Sequence, residues 1–287
     1  MRKIAQPEDV LLEAQKLYPK KFHEVSESTY MDEVYRKAAA LSGIREYVKS
    51  TKGDVNVADI AGGSGRQGRI IRSMLKDEAG RVVIHNVDIS REELSKSKGD
   101  ERIVGEIMHL PFADRSMDFV FMNNIPIPIS YVRNYVANMK DEAGRKERML
   151  EMLELAVDSV YKLDMLEGAR VLKENGVMVV SGKYIKQTGE SIQKSLGELP
   201  LKVNKFEVVE LEEGIIPLWR KYGIEIEKPT FMVVSMKKVG DVGDLADFYQ
   251  QMLRTSLEQL MRVEGFEDIL KEMHKKFERK NNKPRTS

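Results

Sequence analysis

Residues 55–90, VNVADIAGGSGRQGRIIRSMLKDEAGRVVIHNVDIS, constrain this chain more than any other stretch. Val55, Val57, Ile60 and Ala61 form a short apolar run with one acid, Asp59, near its end. Gly62, Gly63, Ser64 and Gly65 follow at once. A helical pattern comes next, with Ile70, Ile71, Met74 and Leu75 on one side. A second apolar run, Val82 to Val87, ends in Asp88. Strand, glycine turn, helix, strand and acid, in that order, make half of a nucleotide-binding βαβ unit.

Each part of that unit has a physical task. Glycines let the backbone turn sharply and approach a ligand closely, because no Cβ intervenes. The helix that follows turns its free N–H groups and positive dipole end toward the ligand. An acid at the tip of the second strand accepts hydrogen bonds from ribose hydroxyls. Gly63, Gly65 and Gly68 also fit G-x-G-x-x-G, with Asp88 about 20 residues on, so a dinucleotide is one reading. Asp59 opposes it, because a carboxylate just before the turn repels a pyrophosphate. The same acid suits a ligand that carries a cation. S-adenosylmethionine has both halves, an α-ammonium for Asp59 and a ribose for Asp88. A glycine turn that only packs a helix is the bland alternative.

Asp59-Ile60-Ala61-Gly62-Gly63-Ser64-Gly65 resembles motif I of class I S-adenosylmethionine-dependent methyltransferases, in the D-x-A-G-G-T-G form of the ubiquinone/menaquinone-biosynthesis branch. His109-Leu110-Pro111-Phe112-Ala113-Asp114-Arg115-Ser116-Met117-Asp118-Phe119-Val120 resembles that family's LPF-x-D segment. Glu167 to Gly176, EGARVLKENG, resembles its E-x-x-RVLKPGG segment. The resemblance implies an α/β, Rossmann-like seven-stranded class I methyltransferase sheet, mostly parallel with an antiparallel closing hairpin. It also implies an N-terminal helical cover (1–53) ahead of the cofactor domain (54–238). A helical insertion (124–166) and C-terminal helices (239–287), whose basic end is expected to be disordered, complete the plan. By the same resemblance S-adenosyl-L-methionine is the cofactor. The third strand, Ile103 to Ile107, then brings Glu106 to the adenine amine and Ile107 to the ring, with Ile89 against its other face.

Composition narrows the chemistry. Lys and Arg number 47 against 46 Asp and Glu, so the net charge of +1 makes no case for nucleic acid or membrane. The chain has no cysteine. That excludes disulfides, thiolate metal sites and a thiol nucleophile, and it disfavours methylation at C5 of cytosine, which passes through a cysteine adduct. Met1-Arg2-Lys3 leads into Gln6-Pro7-Glu8-Asp9 and not into an apolar run, so a cytoplasmic protein is expected. No segment approaches the about 18 apolar residues of a membrane span. No metal site is expected.

The remaining segments have coarser readings. Residues 7–50 read as helices, with Tyr30 and Tyr35 either lining the site or packing the cover onto the domain. Arg91 to about Lys98 reads as a helix, Asp118 to Asn123 as the fourth strand and Gly176 to Ser181 as the fifth. Ile224 to Ile226 and Thr230 to Met236 read as the closing hairpin. Asn123-Asn124-Ile125-Pro126-Ile127-Pro128-Ile129 follows the fourth strand, where open parallel sheets bind their ligands. Amino-directed methyltransferases carry N/D-P-P-Y there; this chain lacks the adjacent prolines and the aromatic. Tyr131 to Leu166 reads as a helical hairpin, with a substrate lid or a homodimer contact as its alternatives.

Methyl transfer is an in-line displacement from a good leaving group, so positioning supplies much of the rate. Asp59, with Ala61, Gly62, Gly63, Ser64 and Gly65, is assigned to the cofactor's amino-acid end, and Asp88 to its ribose. Asn123 falls beside both cofactor and acceptor. The acceptor-side candidates are Asn123, Asn124, His109 and Tyr131, with His109 a base only where the acceptor carries a proton. A small-molecule acceptor leads. A tRNA or protein substrate, or a module that binds the cofactor without transfer, are the alternatives.

Overall fold

The computed structural model describes residues 6, 9–11, 28–98, 101–123, 128–139, 145–183, 189–197, 199–217 and 230–281. Five strands run parallel: β1 (Val55–Ile60), β2 (Val82–Asp88), β3 (Glu101–Val104), β4 (Met117–Asn123) and β5 (Leu172–Lys183). β7 (Thr230–Lys238) is antiparallel to β5 and to β6 (Leu201–Glu210). The sheet order is β3-β2-β1-β4-β5-β7-β6. This is the seven-stranded class I methyltransferase sheet, mostly parallel and closed by one antiparallel hairpin.

Strand position explains strand composition. β4 occupies the middle of the sheet and all its residues are buried, which fits the run Phe119-Val120-Phe121-Met122. β6 is an edge, and it alternates exposed Lys202, Lys205 and Glu210 with buried Leu201 and Val209. A register shift between Val203 and Lys205 breaks its ladder. Charge and bulge both discourage pairing of that edge with another chain.

The helices are α1 (Asp32–Ser42), α2 (Ile44–Ser50), α3 (Arg66–Leu75), α4 (Arg91–Leu94), α5 (Pro128–Ala137), α6 (Arg145–Val171), α7 (Gly189–Leu196), α8 (Leu245–Met261) and α9 (Phe266–Asn281). Gly43 ends α1 at φ 72°, a left-handed conformation that a side chain would resist. Two compact units emerge. One draws on Met1–Lys20, Pro126–Leu163 and Asp244–Ser287; the other on Lys21–Ile125 and Asp164–Gly243. The second contains the sheet. In its core Val34, Ala38 and Leu41 of α1 join Val57, Phe121 and Phe231 of the strands. Tyr35 belongs to that core, so the packing role holds for it. The first unit buries Val132, Leu153, Leu257 and Leu260, and Arg133 pairs with Glu154 at 2.9 Å.

Several boundaries differ from the sequence reading. Ala61 lies past β1, in a left-handed turn. β3 ends at Val104, so Glu106 and Ile107 sit on the loop after it rather than in the strand. α4 stops at Leu94, because the Ser90 hydroxyl caps its start at Glu93 N–H but no apolar stripe carries it further. β5 begins at Leu172, ahead of the turn at Asn175, whose φ is 61°. β7 pairs with Leu201–Glu210, whereas Ile224–Ile226, expected in the hairpin, lies outside the described residues.

Candidate functional site

The glycine turn leaves the carboxyl end of β1 beside β4, where the strand order reverses direction. Open α/β sheets bind ligands at that switch point. Ala61, Gly63 and Gly65 have φ of 53°, 51° and 77°, so three left-handed residues in five fold the chain tightly back. Gly62 is closed in from below. A Cβ there would meet Asn86 Oδ1 and lie 2.6 Å from Asp59 Cγ. α3 starts at the end of the turn, with Gly65 as its N-cap and no side chain capping it. A helix start so placed turns backbone N–H groups and its positive dipole end toward a ligand.

Asp59 and Asn86 pair in register on β1 and β2. Both are buried; Asp59 is 1% exposed and lies beneath Gly62. The Asn86 amide donates to the Gly63 carbonyl at 3.0 Å, while its Oδ1 has no hydrogen-bond partner. Sequence reading missed Asn86, although an amide inside an apolar strand run, two residues before the acid, was a signal.

Asp88 ends β2 and faces the turn. Its Oδ2 accepts Gly63 N–H at 3.0 Å and its Oδ1 accepts Ser90 N–H at 2.8 Å. A carboxylate has about four acceptor positions, so about two are left for vicinal hydroxyls. Burial raises its pKa, and backbone N–H bonds from Ser90, Gly63 and Ile89 pull the other way. Ile89 beside it is 64% exposed, an unusual state for a large apolar side chain.

The loop after β3 is held from two sides. Gly105 N–H donates to Asp88 O at 3.2 Å, which ties the loop to the tip of β2. Glu106 bridges to His109 through the backbone, and the His109 side chain is exposed. Glu106 and Ile107 are half-buried. Leu110 N–H donates to Glu167 at 2.7 Å, and Arg170 donates to the Leu110 and Phe112 carbonyls at 3.0 and 2.9 Å. Arg170 also pairs with Glu167 and Asp114, each at 2.6 Å. Its pKa is raised, chiefly by the bond to Glu167. The L-P-F and E-x-x-R segments are thus two sides of one scaffold, and Arg170 is its fork.

Asn123 ends β4 and is buried in a polar chain. Ser181 Oγ donates to Asn123 Oδ1 at 2.7 Å, Asn123 Nδ2 donates to Gln67 Oε1 at 3.0 Å, and Gln67 Nε2 donates to Tyr35 O at 3.2 Å. The chain fixes which way the amide points. Gln67 and Ser181 had no sequence motif to mark them. Asn124 lies outside the described residues, as does the side chain of Tyr131, which belongs to α5. Among the described residues no group of three or more His, Cys, Asp or Glu can hold a metal ion. No helix among them is long and apolar enough to cross a membrane.

The profile of the family described as a methyltransferase domain matches residues 58–141, a span that holds the turn, Asp88 and Asn123. Residues 58–141 are thus similar to a methyltransferase domain, which supports S-adenosylmethionine as the cofactor. The residues fit that cofactor: a turn with no room for a Cβ at Gly62, a helix start behind it, an orphaned buried acceptor on Asn86 and the Asp88 carboxylate at the tip of β2. Among solved structures, the chain resembles the 1,6-didemethyltoxoflavin-N1-methyltransferase of Burkholderia thailandensis, solved with its heterocycle and S-adenosylhomocysteine bound. The identity is 11%, the coverage 84% of this chain and 93% of that one, and the TM-score 0.51. A Methanosarcina mazei methyltransferase is similar at 17% identity, 68% and 97% coverage and TM-score 0.41. A cyclase, SpnF, is similar at 14% identity, 70% and 82% coverage and TM-score 0.43. No curated protein matches the sequence at significance.

Proposed function

We propose that the protein transfers the methyl group of S-adenosylmethionine to a small, largely apolar or aromatic acceptor. The observation that carries the cofactor half is Asp88, held by Gly63 and Ser90 with acceptor capacity left for two ribose hydroxyls. When bound, the cofactor supplies an electrophilic methyl on a sulfonium.

The protein's residues bind and orient. Ala61 to Gly65 present backbone to the amino-acid end, and Asp59 sets a carboxyl beneath Gly62 that favours the ammonium. Asp88 holds the ribose. Glu106 accepts from the adenine amine, and Ile89 and Ile107 flank the ring. Asn123, held by Gln67 and Ser181 at the carboxyl end of β4, stands at the acceptor side. Asn124, Tyr131 and His109 complete the candidates there, with His109 the base where the acceptor is protonated.

Three things support a small acceptor. Charge is nearly balanced, with no excess of cations for nucleic acid. The segment after β4 departs from the pattern of amino-directed enzymes. The Burkholderia relative, of similar fold, works on a small heterocycle. The motifs favour the ubiquinone/menaquinone-biosynthesis branch, and the cytoplasm is the compartment of this reading. A homodimer through the 124–166 insertion is the assembly that fits this reading.

Calorimetric titration of wild type and Asp88→Ala with S-adenosylmethionine, S-adenosylhomocysteine and NAD(P)H tests the cofactor. Adenosyl ligands should bind wild type and not the variant, and labelled methyl should pass to aromatic small molecules rather than to tRNA. Binding of NAD(P)H alone, or label on tRNA alone, would overturn the proposal.

A further inference from the structure

β2 holds the glycine turn with three consecutive residues at its tip. Val87 O accepts Gly62 N–H at 3.2 Å, and Asp88 Oδ2 accepts Gly63 N–H at 3.0 Å. Asn86 Nδ2 donates to Gly63 O at 3.0 Å. Gly63 is therefore gripped at its N–H and at its carbonyl by two side chains of one strand. Asn86 is fully buried and pairs in register with Asp59 of β1. Its partner fixes its amide. Gly63 O can only accept, so the nitrogen faces it, and Oδ1 is left against Gly62 without a donor. A buried amide with an orphaned oxygen costs stability. Leucine has nearly the same shape and no such cost, so packing alone gives no reason for asparagine at this place. The bond to Gly63 does. A trans peptide is planar, with its carbonyl and N–H pointing opposite ways. With Gly63 O drawn to β2, the 63–64 peptide turns its N–H edge away from β2. Gly63 has no side chain to oppose a flip of that peptide, and its φ is +51°. Asn86 is what holds it.

We propose that Asn86 is a positioning residue for the carboxylate of the cofactor's amino-acid end. This rests on the reading that S-adenosylmethionine lies along the turn, with that end beside residues 61–65. Asn86 draws the Gly63 carbonyl down to β2, so the ligand's carboxylate meets the N–H edge of the 63–64 peptide and not its carbonyl. A carbonyl turned outward would set the negative end of its dipole against the carboxylate. Asn86 itself touches no ligand; it acts through the main chain of the turn. The pair across β1 and β2 thus serves the two charges of one zwitterion, Asp59 the ammonium and Asn86, through Gly63, the carboxylate.

The test uses the full chain and two ligands, S-adenosylhomocysteine and its decarboxylated analogue, which keeps the amine and lacks the carboxylate. Both are titrated by calorimetry. Wild type should prefer S-adenosylhomocysteine by at least about tenfold, the scale of one hydrogen bond to a charged group. Asn86→Leu keeps the shape and removes the donor, and Asn86→Ala removes both. Each should weaken S-adenosylhomocysteine about tenfold and the analogue far less, so that the preference falls toward parity. Leucine fills the volume that alanine leaves empty, so one of the pair stays informative if the other misfolds. A residue that only supports the turn would weaken both ligands alike, and so would an effect passed through Asp59 to the ammonium. Equal binding of the two ligands by wild type, or a ratio in the folded variants equal to that of wild type, would overturn the inference alone. Wild type binding neither ligand would overturn the cofactor reading, and the inference with it.

Discussion

Asp88 accepts the backbone N–H of Gly63 at 3.0 Å, so the acid at the tip of β2 holds the glycine turn that follows β1. One side chain therefore serves both loop geometry and ligand binding. Asp88→Asn keeps one acceptor oxygen but loses the charge. Each hydrogen bond to a charged group is worth about 1.5–3 kcal/mol. The variant should bind S-adenosylhomocysteine about 10- to 100-fold more weakly, by calorimetry, with a smaller loss in melting temperature. Unchanged affinity would detach Asp88 from the ligand.

The two central glycines of the turn should fail differently. At Gly62 a Cβ has nowhere to go, since Asp59 Cγ is 2.6 Å and Asp59 Oδ2 2.7 Å from its place. Gly62→Ala should cost about 1–3 kcal/mol through overpacking. At Gly63 nothing lies within 4 Å, but φ is +51°. Gly63→Ala therefore meets only backbone strain, about 1–2 kcal/mol. Urea denaturation should rank Gly62→Ala as the less stable, and the reverse order would contradict the close approach under Gly62.

Legibility in the sequence followed the range of the interactions. The sheet from β1 to β5 was readable because strand periodicity, the glycine turn and the terminal acids are local signals. The closing antiparallel hairpin and its strand β7 were readable too, but the other strand, β6, was not placed, because it alternates charged and apolar residues as edges do and β7 lies about 20 residues further along the chain. Asp88 could be named from its place after a strand. Asn123 could be placed, but its partners Gln67 and Ser181 lie 56 and 58 residues away and follow no spacing rule. The Leu110 and Arg170 segments were recognised as motifs without their purpose. Only the fold shows that one clamps the other, across 60 residues.

Arg170 is the next place to test. It binds two main-chain carbonyls and two acids through a planar fork, and its side chain is 27% exposed. Lysine has the charge but one nitrogen and no fork. Arg170→Lys should lose at least two of these bonds and about 1–3 kcal/mol of stability by urea denaturation. The loop after β3 should then exchange its amide hydrogens faster, beginning at Leu110. A variant as stable as wild type, with equal protection at Leu110, would show that the clamp is dispensable.

Asp164 makes stability depend on pH in a direction that can be worked out. In the unfolded chain it titrates near its ordinary value of 3.8. In the folded protein burial, followed by the charge of Glu106, raises it well above that. Above the ordinary value the folded state holds a proton that the unfolded state has released. The group's contribution is therefore full below 3.8 and is lost as pH rises through the folded value. Asp164→Asn removes the titration and keeps the neutral shape. Urea denaturation of both proteins from acid to mildly alkaline pH should show the variant gaining on wild type as pH rises, with no further change in the gap below the ordinary value. Parallel curves across the whole range would mean that Asp164 titrates alike folded and unfolded.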